Sequence, residues 1–247
     1  MQDWALRARV NFNKLSTNPY PGRGIVIGKL GDSLIQIYWI MGRSDDSRNR
    51  IFKKDGDRLY TEAVDPSKVK DPSLIIYNAM MSFDFLGTKM HVVSNGNQTD
   101  KIVNGYATGR RFRDVLLTCE HEPDVPNFTP RISAICCFEE GIRVSMSILK
   151  KSPWSKICNR QLFEINDIEN GFGYGVTTYS WDGDPLPAFK GEPLIVPIAG
   201  ENIKEIAYKY WDALNIQNRV SLAVKAINRA EDSQKIFIIN KYGEKDC

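Results

Sequence analysis

The run SLIQIYWIM, residues 33–41, constrains the fold more than any other stretch. It is apolar at odd and even positions alike. Successive side chains of a strand point to opposite faces, so a strand of this kind must be covered on both sides. GIVIGKL, residues 24–30, precedes it across Gly31-Asp32, a good turn pair, and the two read as a hairpin. The apolar run stops at Gly42. Arg43, Arg48 and Arg50 follow at once, with Asp45 and Asp46 between them. Spacing alone favours a solvated loop with local Arg–Asp pairs. The sharper reading is an anion site, because the guanidinium fork matches phosphate oxygens.

SLIIYNAMM and TKMHVVSN read as further strands, and ISAICCF and IRVSMSILK as a hairpin around Glu139-Glu140-Gly141. Cys136 and Cys137 then point to opposite faces. GYGVTTYSW is another strand. In RRFRDVLLTCE the residues Phe112, Val115, Leu116 and Cys119 fall at helical spacing. So do Ile203, Ile206, Ala207, Tyr210, Trp211 and Leu214, behind an Asn202/Glu205 cap. VSLAVKAINRA reads as a second C-terminal helix, giving a helical region over 202–230. The polar segment 44–71 reads as loop, with KKDGDR as a turn. Strands and hairpins come first, and helices are inserted mid-chain and at the end. This order predicts an α+β fold of mainly antiparallel sheets covered by helices, in one domain over residues 1–247.

A net charge of +3, from 33 basic and 30 acidic residues, is too balanced for a general nucleic-acid binder. No apolar h-region follows Met1, and no run approaches the roughly 18 apolar residues of a membrane span. The expectation is a cytoplasmic protein with neither nucleic acid nor membrane as partner; a homo-oligomer stays open. Five cysteines without a C-x-x-C pair read as buried thiols. Two histidines, His91 and His121, give little support for zinc. A carboxylate magnesium site is not excluded, but nothing calls for one, so no metal and no cofactor are expected.

PGRGIVIG, residues 21–28, lacks both G-x-G-x-x-G spacing and the Lys-Ser/Thr of a phosphate loop. Its glycines read as a turn, while Arg23 sits at the strand end where a ligand can lie. Tyr77 and Asn78 stand together in an apolar run, where a buried amide must find partners. VVSNGNQTD ends a strand at Asn95-Gly96; it is a turn and helix cap, or a cluster of amides that reads a carboxamide or a base. CEHEPDVPNFTPRIS places Glu120, Glu122 and Asp124 within five residues, stiffened by Pro123, Pro126 and Pro130, ahead of Thr129-Pro130-Arg131. Loops that carry chemistry are often pinned in this way; spacing leaves a structural loop slightly ahead.

Taken in order, PGRG, GRSDDSRNR, IIYNAM, VVSNGNQTD and EPDVPNFTPRIS resemble the archaeal-type inosine monophosphate (IMP) cyclohydrolase family over roughly residues 20–200. Residues 1–20 look like an extension before the family's usual start. The resemblance implies a four-layer αββα sandwich like that of the N-terminal-nucleophile hydrolases, without use of an N-terminal nucleophile. It implies dehydrative closure of 5-formamidoimidazole-4-carboxamide ribonucleotide to IMP, with a purine ribonucleotide as the partner. Arg43, Tyr77 and Glu122 match catalytic positions. Arg23, Arg50, Asn78, Asn95, Asp124, Thr129 and Arg131 match substrate-binding ones. The loop around Glu122 is longer than the family's pattern, so Glu120 competes for the acid/base role. A non-catalytic purine-nucleotide-binding protein on the same fold is the alternative.

Overall fold

In the computed structural model, strand β2 (Ser33–Met41) is buried on both faces, and the two faces belong to different cores. Leu34, Tyr38 and Ile40 face a second sheet, whereas Ile35, Ile37, Trp39 and Met41 face helices. The structure describes residues 3–69, 71–72, 75–139, 141–231 and 233–243. Ser73, Leu74, Glu140 and Cys247, on which parts of the sequence reading rest, lie outside them.

One sheet has six strands: β1 (Gly24–Leu30), β2, β10 (Phe172–Thr177), β11 (Leu194–Pro197), β12 (Arg219–Asn228) and β13 (Ser233–Asn240), in the order β11-β10-β1-β2-β12-β13. The other has seven: β3 (Ile51–Asp55), β4 (Arg58–Glu62), β5 (Asn78–Phe85), β6 (Thr88–Ser94), β7 (Arg131–Phe138), β8 (Ile142–Lys151) and β9 (Cys158–Asn166), paired in chain order. The described strand pairs are antiparallel. A shared core that includes Ile25, Ile27, Met80, Val93, Ile132 and Met146 lies between the sheets.

Helices cover the outer faces. On the six-stranded sheet lie α1 (Trp4–Thr17) and α5 (Ile203–Ala213). Phe12 meets Tyr210 edge-on at 5.2 Å, so residues before Tyr20 form part of this layer. Burying a side chain of the size of Leu15 or Ile206 contributes roughly 1.5–3 kcal/mol. Asn202 caps α5 by accepting from the backbone N–H of Lys204 and Glu205. On the seven-stranded sheet lie α3 (Gln98–Ala107) and the short α4 (Phe112–Leu116), over Val92, Ile135 and Leu149. Cys136 sits between the sheets and Cys137 under these helices, as alternation requires.

Two expectations are corrected. VSLAVKAINRA is not helical: all but its last two residues lie in β12, between β2 and β13 in the six-stranded sheet. Helix after 202 is confined to α5. The reason is that β12, like β2, is covered on both faces, with Val220 and Ala223 toward the sheet core and Leu222 and Val224 toward the helices. A continuous apolar run cannot be told from a buried helix by period. The polar segment 44–71 is likewise not all loop, since it carries the one-turn helix α2 (Asp45–Arg48) and the strands β3 and β4, joined at Gly56-Asp57. Among the described residues no helix is long and apolar enough to cross a membrane.

Candidate active site

At one end of the two-sheet stack the chain enters β1 and leaves β2, and it enters β3, β5 and β7. Side chains from four of these junctions meet there. Arg23 precedes β1, Arg50 precedes β3, Ile75 and Tyr77 precede β5, and Glu122 and Asp124 lie on the loop before β7. A cavity of about 290 Å³ is lined by Arg23, Arg50, Ile75, Glu122 and Asp124, together with Ser44, Asp46, Ser47 and Asp71.

The three arginines after β2 part company. Arg48 turns back to close the strand end, donating from Nε to Gly42 O at 3.0 Å. Arg43 lies on the surface, paired with Asp182, donating to Gly183 O at 3.2 Å and resting 5.0 Å from the Tyr20 ring. Arg50 is buried and enters the cavity. Among the described residues its Nε and Nη1 have no hydrogen-bond partner, nor has Nε of Arg23. Buried donors of this kind cost on the order of 1–3 kcal/mol each when unpaired, and far more for a charged group that stays isolated. Burial lowers the Arg50 pKa, and Arg23 beside it lowers it further. Burial also opposes charge on Arg23, but Glu122, followed by Tyr20, Tyr179 and Tyr77, turns the net shift upward.

Glu122 is also buried. Arg131 Nη1 lies 3.3 Å from its Oε1, yet that oxygen has no aligned hydrogen bond. Arg131 Nη1 instead donates to Asn95 O at 3.0 Å. The pair therefore attracts as charges while leaving an acceptor open. A Cβ on Gly96 would fall 1.6 Å from Arg131 Nη1, so the bare backbone there is what admits the guanidinium.

The loop that carries Glu122 is closed on itself. Glu122 N–H donates to Thr129 O at 2.9 Å, and Thr129 N–H donates to Asp124 Oδ1 at 2.6 Å. Thr129 Oγ1 donates to the other Asp124 oxygen and meets Tyr179 OH at 2.7 Å. Asp124 and Thr129 thus hold each other. Glu120 is exposed and lies 3.9 Å from Arg160, outside the cavity lining.

Tyr77 OH lies 2.7 Å from Tyr38 OH, a bond that joins the two sheets. Burial, reinforced by Tyr77, holds the Tyr38 phenol well above its ordinary pKa. Two hydroxyl protons are present and one serves the mutual bond, so one O–H donor remains. Asn78 faces the other way and donates to Asp100 on α3 at 2.7 Å. Asn95 uses its amide on backbone, donating to Pro130 O at 2.9 Å and accepting from Ile132 N–H at 2.8 Å.

The structure lines the cavity with Arg23, Arg50, Glu122 and Asp124, with Thr129, Arg131 and Asn95 as their supports and Tyr77 near Arg23 and Arg50. It does not bring Arg43, Tyr77 or Asn78 into the cavity lining. Tyr38 and Tyr179 were not singled out by sequence reasoning. Tyr38 sits inside an apolar run, and nothing local tells its hydroxyl from that of a core tyrosine. Among the described residues no group of three or more His, Cys, Asp or Glu side chains is placed to hold a metal ion.

The two-sheet stack, with helices on its outer faces, buries two arginines and a carboxylate around one cavity. The chain matches the IMP cyclohydrolase-like protein family over residues 20–232 and belongs to it. No curated protein matches the chain.

Proposed function

We propose that the protein is an IMP cyclohydrolase, closing 5-formamidoimidazole-4-carboxamide ribonucleotide to IMP. The observation that carries this reading is the set of open groups in one cavity: Nε of Arg23, Nε and Nη1 of Arg50, and Oε1 of Glu122. The reaction asks for that set. The carboxamide nitrogen attacks the formyl carbon of the same molecule, so holding the near-attack rotamer supplies much of the rate. An acceptor must take the amide proton, and donors must meet the formyl oxygen as it gains charge. Water then leaves and the C=N bond completes the ring.

Glu122 is the proton acceptor in this reading, placed by Arg131 and by the Thr129–Asp124 clasp. The hydroxyl left over in the Tyr77–Tyr38 pair points to the formyl oxygen as its partner. Arg50 and Arg23 meet phosphate or the developing oxyanion. Arg43 acts from the rim, steering the anionic substrate. Asn78 and Asn95 act through the backbone and helix contacts that hold their neighbours. The stack belongs with the N-terminal-nucleophile-hydrolase-like folds, and the protein works in the cytoplasm on a purine ribonucleotide.

The test is incubation of the chelator-treated protein with the formamido ribonucleotide, following IMP. Formation of IMP supports the reading. Tight nucleotide binding with no turnover favours a nucleotide-binding protein on the same fold. Activity lost with chelator and restored by one particular metal overturns the metal-free mechanism.

A further inference from the structure

The opposite end of the stack carries a second polar layer that the proposed reaction does not use. The turns after β1, β3, β5, β7 and β12 gather there. Lys225 of β12 and Gln36 of β2 are register partners, and so are Ser82, His91 and Cys136 across β5, β6 and β7. Lys225 is fully buried and spans the sheets, donating to Asp57 O at 3.0 Å and to Ser82 Oγ at 2.8 Å. Ser82 Oγ also lies 2.9 Å from Gln234 Oε1 and 2.8 Å from His91 Nδ1.

With the Gln234 amide oxygen turned to Ser82, counting protons gives the polarity of this layer. Lys225 can only donate, and Gln234 Oε1 can only accept. The single Ser82 proton therefore goes to Gln234, and Ser82 Oγ accepts from Lys225 and from His91. His91 must then carry its proton on Nδ1, which leaves Nε2 a bare acceptor. Burial, then Lys225 and Lys89, press the His91 pKa down to about 3, so the ring stays neutral. No hydrogen bond to Nε2 occurs among the described residues.

His91 also lines a cavity of about 410 Å³. With Nδ1 engaged by Ser82, Nε2 is the ring nitrogen left without a partner. Around it stand Phe138 and Ile227 as an apolar wall, and Lys89 and Arg229 as cations. The carboxylate beside them, Glu139, is engaged by Arg143 at 2.9 Å. Volume, a few fixed polar groups and an apolar wall are what small-molecule sites share.

We propose that this cavity is a second small-molecule site, taking a planar organic acid that carries an O–H or N–H donor. The donor meets His91 Nε2, the ring lies against Phe138 and Ile227, and the acid group sits between Lys89 and Arg229. The proposal is independent of the nucleotide reading, because it uses none of the residues at the arginine end.

A matched pair of probes tests it on the full chain: 4-hydroxybenzoate and 4-methoxybenzoate, which differ in the donor alone. In ¹⁵N NMR titrations, 4-hydroxybenzoate is expected to give saturable shifts at Thr88, Lys89, Asn228 and Ser233. The methoxy probe should bind about ten-fold more weakly or worse, as loss of one hydrogen bond to a buried acceptor implies. Lys89→Glu with Arg229→Glu, both exposed positions, should abolish the shifts while leaving the rest of the spectrum in place. Imidazole nitrogen shifts should report the Nδ1–H tautomer. Equal binding of the two probes, an Nε2–H tautomer, unaffected binding by the double variant, or no saturable shift each overturns the proposal. Shifts confined to Arg23 and Arg50 overturn it too, and leave the arginine-end reading untouched.

Discussion

The two ends of the stack bury cations in opposite ways. At the far end Lys225 reaches a carbonyl and a hydroxyl, and the groups left over are acceptors, Nε2 of His91 and Oε1 of Gln36. At the near end Arg23 lies close enough to Arg50 to disfavour its charge, and the groups left over there include three guanidinium nitrogens. A folded chain has no reason of its own to crowd two buried arginines and leave their donors unpaired. The far end ties the sheets together through Lys225 and Ser82. The near end leaves guanidinium donors open where the cavity lies.

That contrast can be broken by substitution. The largest effect is expected at Glu122→Gln, which keeps shape and removes the base: kcat should fall by about 10²–10⁴. Glu120→Gln, made in parallel, should leave kcat near wild type, because Glu120 lies outside the cavity lining. The reverse outcome moves the acid/base two residues along the loop. Tyr77→Phe comes next. It removes one donor, worth roughly 2.7–4 kcal/mol at an oxyanion, and should lower kcat with little change in product affinity. A Tyr77→Phe enzyme with unchanged kcat shows that the Tyr77–Tyr38 bond only joins the sheets.

The far end should instead show in stability. His91 is neutral in the folded chain down to about pH 3, whereas an unfolded histidine takes up its proton near 6.5. Its contribution to stability is complete above pH 6.5 and is lost as pH falls toward 3. Between pH 6.5 and 5 the loss should be about 2 kcal/mol, read by denaturant unfolding. His91→Gln should flatten that slope, and a slope equal to wild type contradicts the buried neutral imidazole. Lys225 works at the other extreme: burial lowers its pKa to about 8, so its cost is present below pH 8 and relieved as pH rises toward 10.5.

A smaller effect separates the arginines. Arg50→Lys cannot copy a planar fork inside the cavity and should weaken IMP binding about ten-fold. Arg43→Lys keeps a charge on the surface and should change affinity by less than about three-fold. Equal losses at both positions place Arg43 on the ligand after all.

How much of this was legible follows from what alternation can carry. β2, the β7–β8 hairpin and α5 were readable, because each shows its period within one segment. The opposed faces of Cys136 and Cys137 followed from the same rule. β12 was misread because a strand buried on both sides shows no period, and its Lys225 looked like the polar face of a helix. β3 and β4 were missed because both are short and their exposed positions are polar. In the site, adjacency was the weak point. Tyr77 and Asn78 are neighbours in extended chain and so face opposite ways, one into the stack and one to α3. Arg43 and Arg50 could not be ranked by spacing, since the intervening turn decides which of them goes inward. Tyr38 needed its partner from the other sheet before its hydroxyl meant anything.

Whether the open donors of the near end take the oxygens of a nucleotide is read from a crystal structure with IMP bound. IMP is expected in the cavity before β3 and β7, with ligand oxygens within about 3.2 Å of Arg23 Nε and of Arg50 Nε or Nη1, and with Glu122 at the closed ring. IMP bound elsewhere, or bound there with these nitrogens still unpaired, contradicts the nucleotide reading.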